Sequence, residues 1–181
     1  MWFRWIYLSS DKNKNIKEII KEYTNNKTPA IKVPRYNFGN NGHINKPNGG
    51  VIENYTKREA KFSSYKAISN IDFINRKIHT LGVHRYLYTT RKGIINKGIK
   101  ISAKLNQKHD GHSDIPLQMN HYFTKSYKEY VDRCLFWKDK PINFLGKRKN
   151  CHDKKLFNDN NVNQVEDLTA YNIYKKINKN K

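Results

Sequence analysis

Ile115-Pro116-Leu117-Gln118-Met119-Asn120-His121-Tyr122-Phe123-Thr124-Lys125-Ser126 is the stretch on which the fold turns. Ile115 to Tyr122 is an apolar segment, and Thr124-Lys125-Ser126 then opens a helix. Tyr127, Tyr130, Val131, Cys134 and Leu135 follow at helical spacing, and Ser126 with Glu129 fits a Ser-x-x-Glu capping box. Working outward, residues 2–8 read as a strand, and Ser9-Ser10-Asp11 as the N-cap of a helix carrying Ile16, Ile19, Ile20 and Tyr23. Asn25-Asn26 closes that helix. Ala30 to Val33 is a short strand ended by Pro34, and Val51 to Tyr55 reads as a strand or a helix start before a polar helix near 56–62. Further strands are expected at 65–68, 76–80, 83–88 and near 99–105, and a last helix near 164–176. Strands interleaved with helices place the chain in the α/β class.

The chain of 181 residues suits one domain or a large piece of one. Its 36% apolar content is below the roughly 45–50% of an average soluble domain. The 12 Tyr, 8 Phe and 3 Trp nevertheless argue for a folded core under a polar surface. Lys and Arg number 36 against 15 Asp and Glu, a net charge of +21 that favours phosphate-bearing ligands, nucleic acid or anionic surfaces. The positive residues are spread along the chain, with short runs at Lys147-Arg148-Lys149 and Lys175-Lys176, whereas a nucleic-acid arm concentrates them. Cys134 and Cys151 define neither a disulfide framework nor a zinc motif, so free thiols in a reducing compartment are expected. No apolar run reaches the roughly 20 residues of a membrane span. The start of the chain does not have the pattern of a signal peptide. A cytoplasmic location is the expectation that follows.

Three groups of residues could carry chemistry. His109-Asp110-Gly111-His112-Ser113-Asp114 has the residue types of a divalent-metal site but not a standard zinc spacing, and a polar surface loop is the favoured reading. Phe38-Gly39-Asn40-Asn41-Gly42-His43 is a Gly/Asn-rich loop of the kind that brings backbone N–H groups to phosphates. It has no Walker Lys-Ser ending, and an ordinary turn-rich connection is the other reading. His121 leaves the apolar segment where a neutral imidazole can ligate a metal, and Lys125, Ser126 and the helix N-terminus can hold a diphosphate. The plainer alternative makes His121 a hydrogen-bonded core residue and Ser126 a cap.

Four blocks resemble a known family. Val33-Pro34-Arg35-Tyr36-Asn37-Phe38-Gly39-Asn40-Asn41-Gly42-His43 is similar to its strand leading into a Phe-Gly-x-x-Gly-His loop. Pro47 followed by Val51-Ile52-Glu53-Asn54-Tyr55-Thr56-Lys57-Arg58 is similar to its Glu-containing segment ending in Thr-x-Arg. Lys77-Ile78 and Val83-His84 fit its next positions, and Asn120-His121-Tyr122-Phe123-Thr124-Lys125-Ser126 its Asn-His-Tyr-x-x-Lys-Ser element. In this order, over about residues 16 to 137, they resemble the glycosyltransferase family 92 group, with a GT-A-type fold. The resemblance implies a partial GT-A-like mixed sheet flanked by helices. It also implies transfer of a sugar from a nucleotide-diphosphate donor to a glycan or other hydroxyl acceptor, with Mn²⁺ or Mg²⁺. Cations neutralise the departing diphosphate and a carboxylate deprotonates the acceptor. By position, His121 is then the metal ligand, and His43, Arg58, Lys125 and Ser126 are the donor and diphosphate residues. Glu53 is the catalytic base, and His84 a further cleft residue.

One departure from the pattern stands out. The family carries an Asp-x-Asp-Glu-Phe element before the helix that here follows Asp11, where this chain has Trp5-Ile6-Tyr7-Leu8-Ser9-Ser10-Asp11. The expectation is therefore a C-terminal portion of such an enzyme, with weak donor binding of its own and a separate N-terminal half as partner. Residues 1–137 would be the GT-A-like part and 138–181 a basic, irregular extension with one helix. The competing expectation is a basic nucleic-acid-binding protein without catalytic activity.

Overall fold

The computed structural model describes residues 5–24, 29–62, 64–74, 115–138 and 154–179. In chain order they form β1 (Trp5–Ser9), α1 (Ile16–Tyr23), β2 (Ala30–Asn37), α2 (Val51–Asn54), β3 (Lys57–Arg58) and β4 (Ser64–Ser69). A 3-10 turn (Ile71–Phe73), β5 (Leu117–His121), α3 (Tyr127–Lys138), α4 (Lys154–Asn160), β6 (Val165–Glu166) and α5 (Thr169–Lys179) follow. Four strands make a mixed sheet in the order β1-β5-β2-β4, and β3 and β6 make a separate antiparallel pair. The class is α/β, as the alternation of patterns predicts. The strands expected at 76–80, 83–88 and 99–105, the loop 109–114, Lys147 to Lys149 and the Asn25-Asn26 stop lie outside the described residues.

Where local readings differ from the structure, a competing interaction decides. Helix α1 is capped by Asn15, not by Ser9 to Asp11: Asn15 Oδ1 accepts from Glu18 N and Glu18 Oε2 accepts from Asn15 N, a full capping box. The Asp11 carboxylate accepts from Asn13 N (2.8 Å) in a turn of its own. Strand β2 does not stop at Pro34 but runs through it to Asn37, with Pro34 opposite Tyr65 of β4. Proline fixes φ at a value compatible with extended backbone and removes only one ladder donor. Residues 57–58 form β3 rather than helix, because they pair with Val165 and Glu166, a partner no local periodicity reveals. Strands β4 and β5 and the capped helix α3 stand where the sequence puts them.

The chain divides into two compact units. One comprises Met1–Ile6, Tyr36–Ala60 and Asn120–Lys181, the other Tyr7–Arg35 and Lys61–Met119. Elements α4, β6 and α5 belong to the same unit as α2, β3 and α3. In the second unit β2 and β4 are antiparallel from Ala30↔Ser69 to Arg35↔Ser64, and Ile19, Ile31, Val33, Leu117 and Met119 are among its buried apolar residues. In the first unit Phe38, Tyr55 and Tyr122 form one buried cluster, packed by Ile6, Tyr36 and Val51. Tyr130, Val131 and Phe157 form another, with the Tyr127 and Phe157 rings edge to face at 5.1 Å. Each such aromatic contributes roughly 1.5–3 kcal/mol by leaving water, so α4 is fastened to α3 by ordinary core packing.

Cys134 is disulfide-bonded, which corrects the expectation of free thiols. A single bridge leaves no spacing signature, since it depends only on the approach of two Cβ atoms in the folded chain. No helix among the described residues is long and apolar enough to cross a membrane.

Candidate functional site

The candidate site lies in the first unit, around the end of β5 and the start of α3. Its base is the Gly/Asn loop after β2. Asn41 and Gly42 adopt left-handed backbone, with φ of 50° and 84°, so the chain turns sharply here. Every successive N–H of this loop is taken inside the protein. Gly39 N donates to Lys57 O and His43 N to Asn40 O, both at 2.9 Å. Asn40 N donates to Asn161 Oδ1 (2.7 Å), Asn41 N to Asn163 Oδ1 (2.9 Å) and Gly42 N to Asn40 Oδ1 (2.9 Å). No converging set of donors is left to cradle a phosphate, and the loop acts as a clamp on residues 161–163. Of the two readings that the composition leaves open, the structure takes the turn-rich connection.

His121 ends β5 and is buried. Its Nδ1 lies 2.8 Å from Asn37 Oδ1. Asn37 is itself clamped: its N–H donates to Glu59 Oε1 (2.8 Å) and its carbonyl accepts from Glu59 N (3.0 Å). An amide oxygen can only accept, so this contact places the proton on Nδ1 of the neutral ring and leaves the acceptor lone pair on Nε2. Such a second partner is what orients ligating imidazoles. The adjoining Phe38 N donates to His121 O (2.9 Å), which ties the loop to the strand end.

Three residues beyond His121, the chain enters α3 through Thr124, Lys125 and Ser126, all buried. Lys125 has φ 51°, an uncommon left-handed conformation for a residue with a Cβ that costs about 1–2 kcal/mol. Its Nζ is 3.8 Å from Glu129 Oε1. Glu129 Oε2 accepts from the Tyr55 hydroxyl (2.5 Å), Ser126 Oγ (2.9 Å) and Ser126 N (3.3 Å), and Ser126 Oγ accepts from Glu129 N (3.2 Å). The capping box is thus real, and Tyr55 closes it from α2's side of the chain. Burial opposes the charge of Glu129, but the hydrogen bonds from Tyr55 and Ser126 and the Lys125 ammonium outweigh it and hold the carboxyl below its usual range. Burial, and then donation to Glu129, push the Tyr55 phenol far above its usual value, so it stays a donor.

His43 joins this group through its backbone and its ring. Tyr127 N donates to His43 O (3.3 Å) and Lys128 N to Ile44 O (2.9 Å), while the His43 ring meets Tyr55 edge to face at 5.6 Å. With Glu129 N taken by Ser126, the first three N–H groups of α3 all have partners within the chain. The helix start can therefore offer an anion its field but not these donors.

The structure thus gathers His43, Lys125 and Ser126 at the start of α3, the last two lying four and five residues beyond His121. Glu53 and Arg58 are committed elsewhere. Glu53 is exposed, and its Oε2 accepts from Gly50 N (2.6 Å), capping its own short helix. The Arg58 guanidinium donates to Asp167 Oδ2 at 2.7 Å and lies 4.0 Å from the centre of the Tyr36 ring. His84 and the 109–114 loop are outside the described residues.

Tyr55, Asn37, Glu59, Glu129 as a network member, and the partners Asn161, Asn163 and Asp167 escape a reading of the sequence. The only cue was the density of Asn in Asn160-Asn161-Val162-Asn163-Gln164. Among the described residues no three His, Cys, Asp or Glu side chains come together as a metal-binding group. His121 alone does not make up a site for Mn²⁺ or Mg²⁺, hard cations that take several oxygen ligands. No protein-family model, curated protein or solved structure matches the chain.

Proposed function

We propose that this chain is a glycosyltransferase, or a portion of one, moving a sugar from a nucleotide-diphosphate donor to a glycan or other acceptor hydroxyl. The observation that carries the reading is His121 held by Asn37 beside the left-handed, buried Lys125. A residue kept in a costly backbone conformation within a buried polar network is a reason to suspect function. The four blocks resembling family 92 glycosyltransferases supply the chemical class, including a GT-A-type fold. In this reading Lys125 provides positive charge for the departing diphosphate. Tyr55, Ser126 and Glu129 fix the turn that carries it. Asn37 aims the His121 ring.

Mn²⁺ or Mg²⁺ belongs to this proposal with His121 as one ligand, its other ligands coming from donor oxygens or from outside the described residues. Glu53 remains the base proposed by position, and to act it must release Gly50 N. Arg58 must likewise leave Asp167 to reach a donor, so its proposed role is the more costly one.

Hydrolysis of UDP- and GDP-sugars at millimolar concentration, with and without Mn²⁺, tests the proposal. The expected result is a slow, metal-dependent release of nucleotide that falls at least roughly tenfold in His121→Ala, the loss of one strong transition-state contact. No turnover of any donor, or full turnover by the variant, overturns it. Nucleic-acid binding is the second reading. Phe38, Tyr55, Tyr122, Tyr130 and Phe157 are core residues, which leaves base stacking to exposed rings such as Phe136 and Tyr174.

A further inference from the structure

We propose that Asn48 is a site of self-modification, at which the Gly49 amide nitrogen displaces ammonia from the Asn48 side chain and leaves an aspartyl or isoaspartyl linkage. The chain contains two Asn-Gly dipeptides, Asn41-Gly42 and Asn48-Gly49, both in the first unit. Asparagine is among the thermally labile side chains, and a following glycine leaves the attacking nitrogen unshielded by a Cβ. By sequence the two pairs are chemically equivalent. The fold makes them different.

Asn41-Gly42 is locked. Asn41 Oδ1 accepts from Lys57 N, and Asn41 Nδ2 donates to Thr56 Oγ1, both at 3.0 Å. Asn41 N donates to Asn163 Oδ1 and Gly42 N to Asn40 Oδ1, both at 2.9 Å. The side-chain amide and the attacking nitrogen are thus held by other groups, and they meet only if these bonds break. Asn48-Gly49 is the opposite case, for both residues are exposed. The Asn48 backbone carbonyl accepts from Asn54 Nδ2 (2.7 Å), but among the described residues none takes the Asn48 side-chain amide or the Gly49 N–H. Gly49 has φ 90°, and a Cβ on it would stand 3.1 Å from Glu53 Oε2. The turn into α2 therefore requires glycine, and the same glycine leaves its nitrogen open to Asn48 Cγ.

Attack forms a bond from Gly49 N to Asn48 Cγ and closes a cyclic imide. The Cγ–Nδ2 bond breaks, and Nδ2 leaves as ammonia with the proton from Gly49 N. Water then opens the ring and is the only co-reactant. Addition at Cγ gives aspartate. Addition at the backbone carbonyl gives isoaspartate, in which the chain runs through the former side chain and the carbonyl that accepts from Asn54 becomes a carboxylate. Either product adds a negative charge two residues ahead of Gly50, the N-cap of the helix that carries Glu53. The inference is independent of the sugar-transfer reading.

The test is incubation of the full chain at neutral pH and body temperature in water enriched in ¹⁸O, then digestion at acidic pH in ordinary water and peptide mass analysis. The ring-opening oxygen comes from water, so the label marks new modification. Label is expected at position 48 and to accumulate at position 41 at least roughly tenfold more slowly, because the locked loop must first open locally. In urea the two positions should label at similar rates. Asn48→Gln, whose longer side chain disfavours the ring, should lose the label at position 48. No label at position 48 in the folded chain overturns the proposal, as do equal rates at 48 and 41 there. A difference that persists in urea also overturns it, since the selectivity would then lie in the neighbouring sequence and not in the fold.

Discussion

Asn37 Oδ1 and His121 Nδ1 are 2.8 Å apart, between two buried side chains 84 residues apart in the sequence. The contact assigns the imidazole proton. Long-range ¹H–¹⁵N spectra of the neutral ring should show His121 protonated at Nδ1. Asn37→Leu should lose that preference and destabilise the fold by about 1–3 kcal/mol, the cost of a buried polar group left without its partner. An Nε2-protonated ring in the native protein would remove the physical basis for a ligating Nε2.

Glu129 sets a pH dependence whose sign follows from its partners. Its folded-state carboxyl titrates below the ordinary value of 4.5, so the unfolded chain takes up the proton first as pH falls. The stabilisation is present above the unfolded value and is lost as pH drops through the folded one. Urea unfolding between pH 7 and pH 3 should show the native chain losing stability faster than Glu129→Gln. Parallel curves for the two proteins would mean that Glu129 is not held as the charged acceptor.

Tyr55→Phe isolates one arm of that network. It removes the hydroxyl that donates to Glu129 and accepts from Ser126 N while leaving the ring in its cluster. A loss of about 1.5–3 kcal/mol is expected, the range for a hydrogen bond to a charged group. An unchanged urea midpoint would show that the carboxylate is satisfied without Tyr55.

Gly39 is required by closeness, not by its backbone angles. A Cβ there would run into the backbone carbonyl of Val162 and the Asn163 side chain. Side-chain rotation can relieve the second clash but not the first. Gly39→Ala should cost about 1–3 kcal/mol and loosen residues 154–179, seen as faster limited proteolysis in that segment. Equal cleavage rates in the two proteins would contradict the clamp.

The bridge at Cys134 should protect its sulfur from alkylation in the native protein until a reductant is added, read by peptide mass. Cys134→Ser should lower stability by about 2–4 kcal/mol. Ready alkylation without reductant would restore the free-thiol expectation, and with it the case for a reducing compartment.

The sequence by itself determined what is local. The apolar run Ile115 to Tyr122, the Ser126–Glu129 box and the helical spacing from Tyr127 gave β5, the cap and α3, because each depends on contacts a few residues apart. The α/β class followed from the same periodicities. So did the grouping of His121, Lys125 and Ser126, which sit within one strand-to-helix turn. Tertiary structure decided whatever depends on a distant partner. Lys57-Arg58 is a strand because Val165 and Glu166 lie beside it. Arg58 is an ion-pair partner because Asp167 reaches it. The Gly/Asn loop is a clamp because Asn161 and Asn163 take its N–H groups. Backbone donors and charged side chains carry no mark of where their partners will come from. They must nevertheless be satisfied once buried, and only the folded chain shows by what.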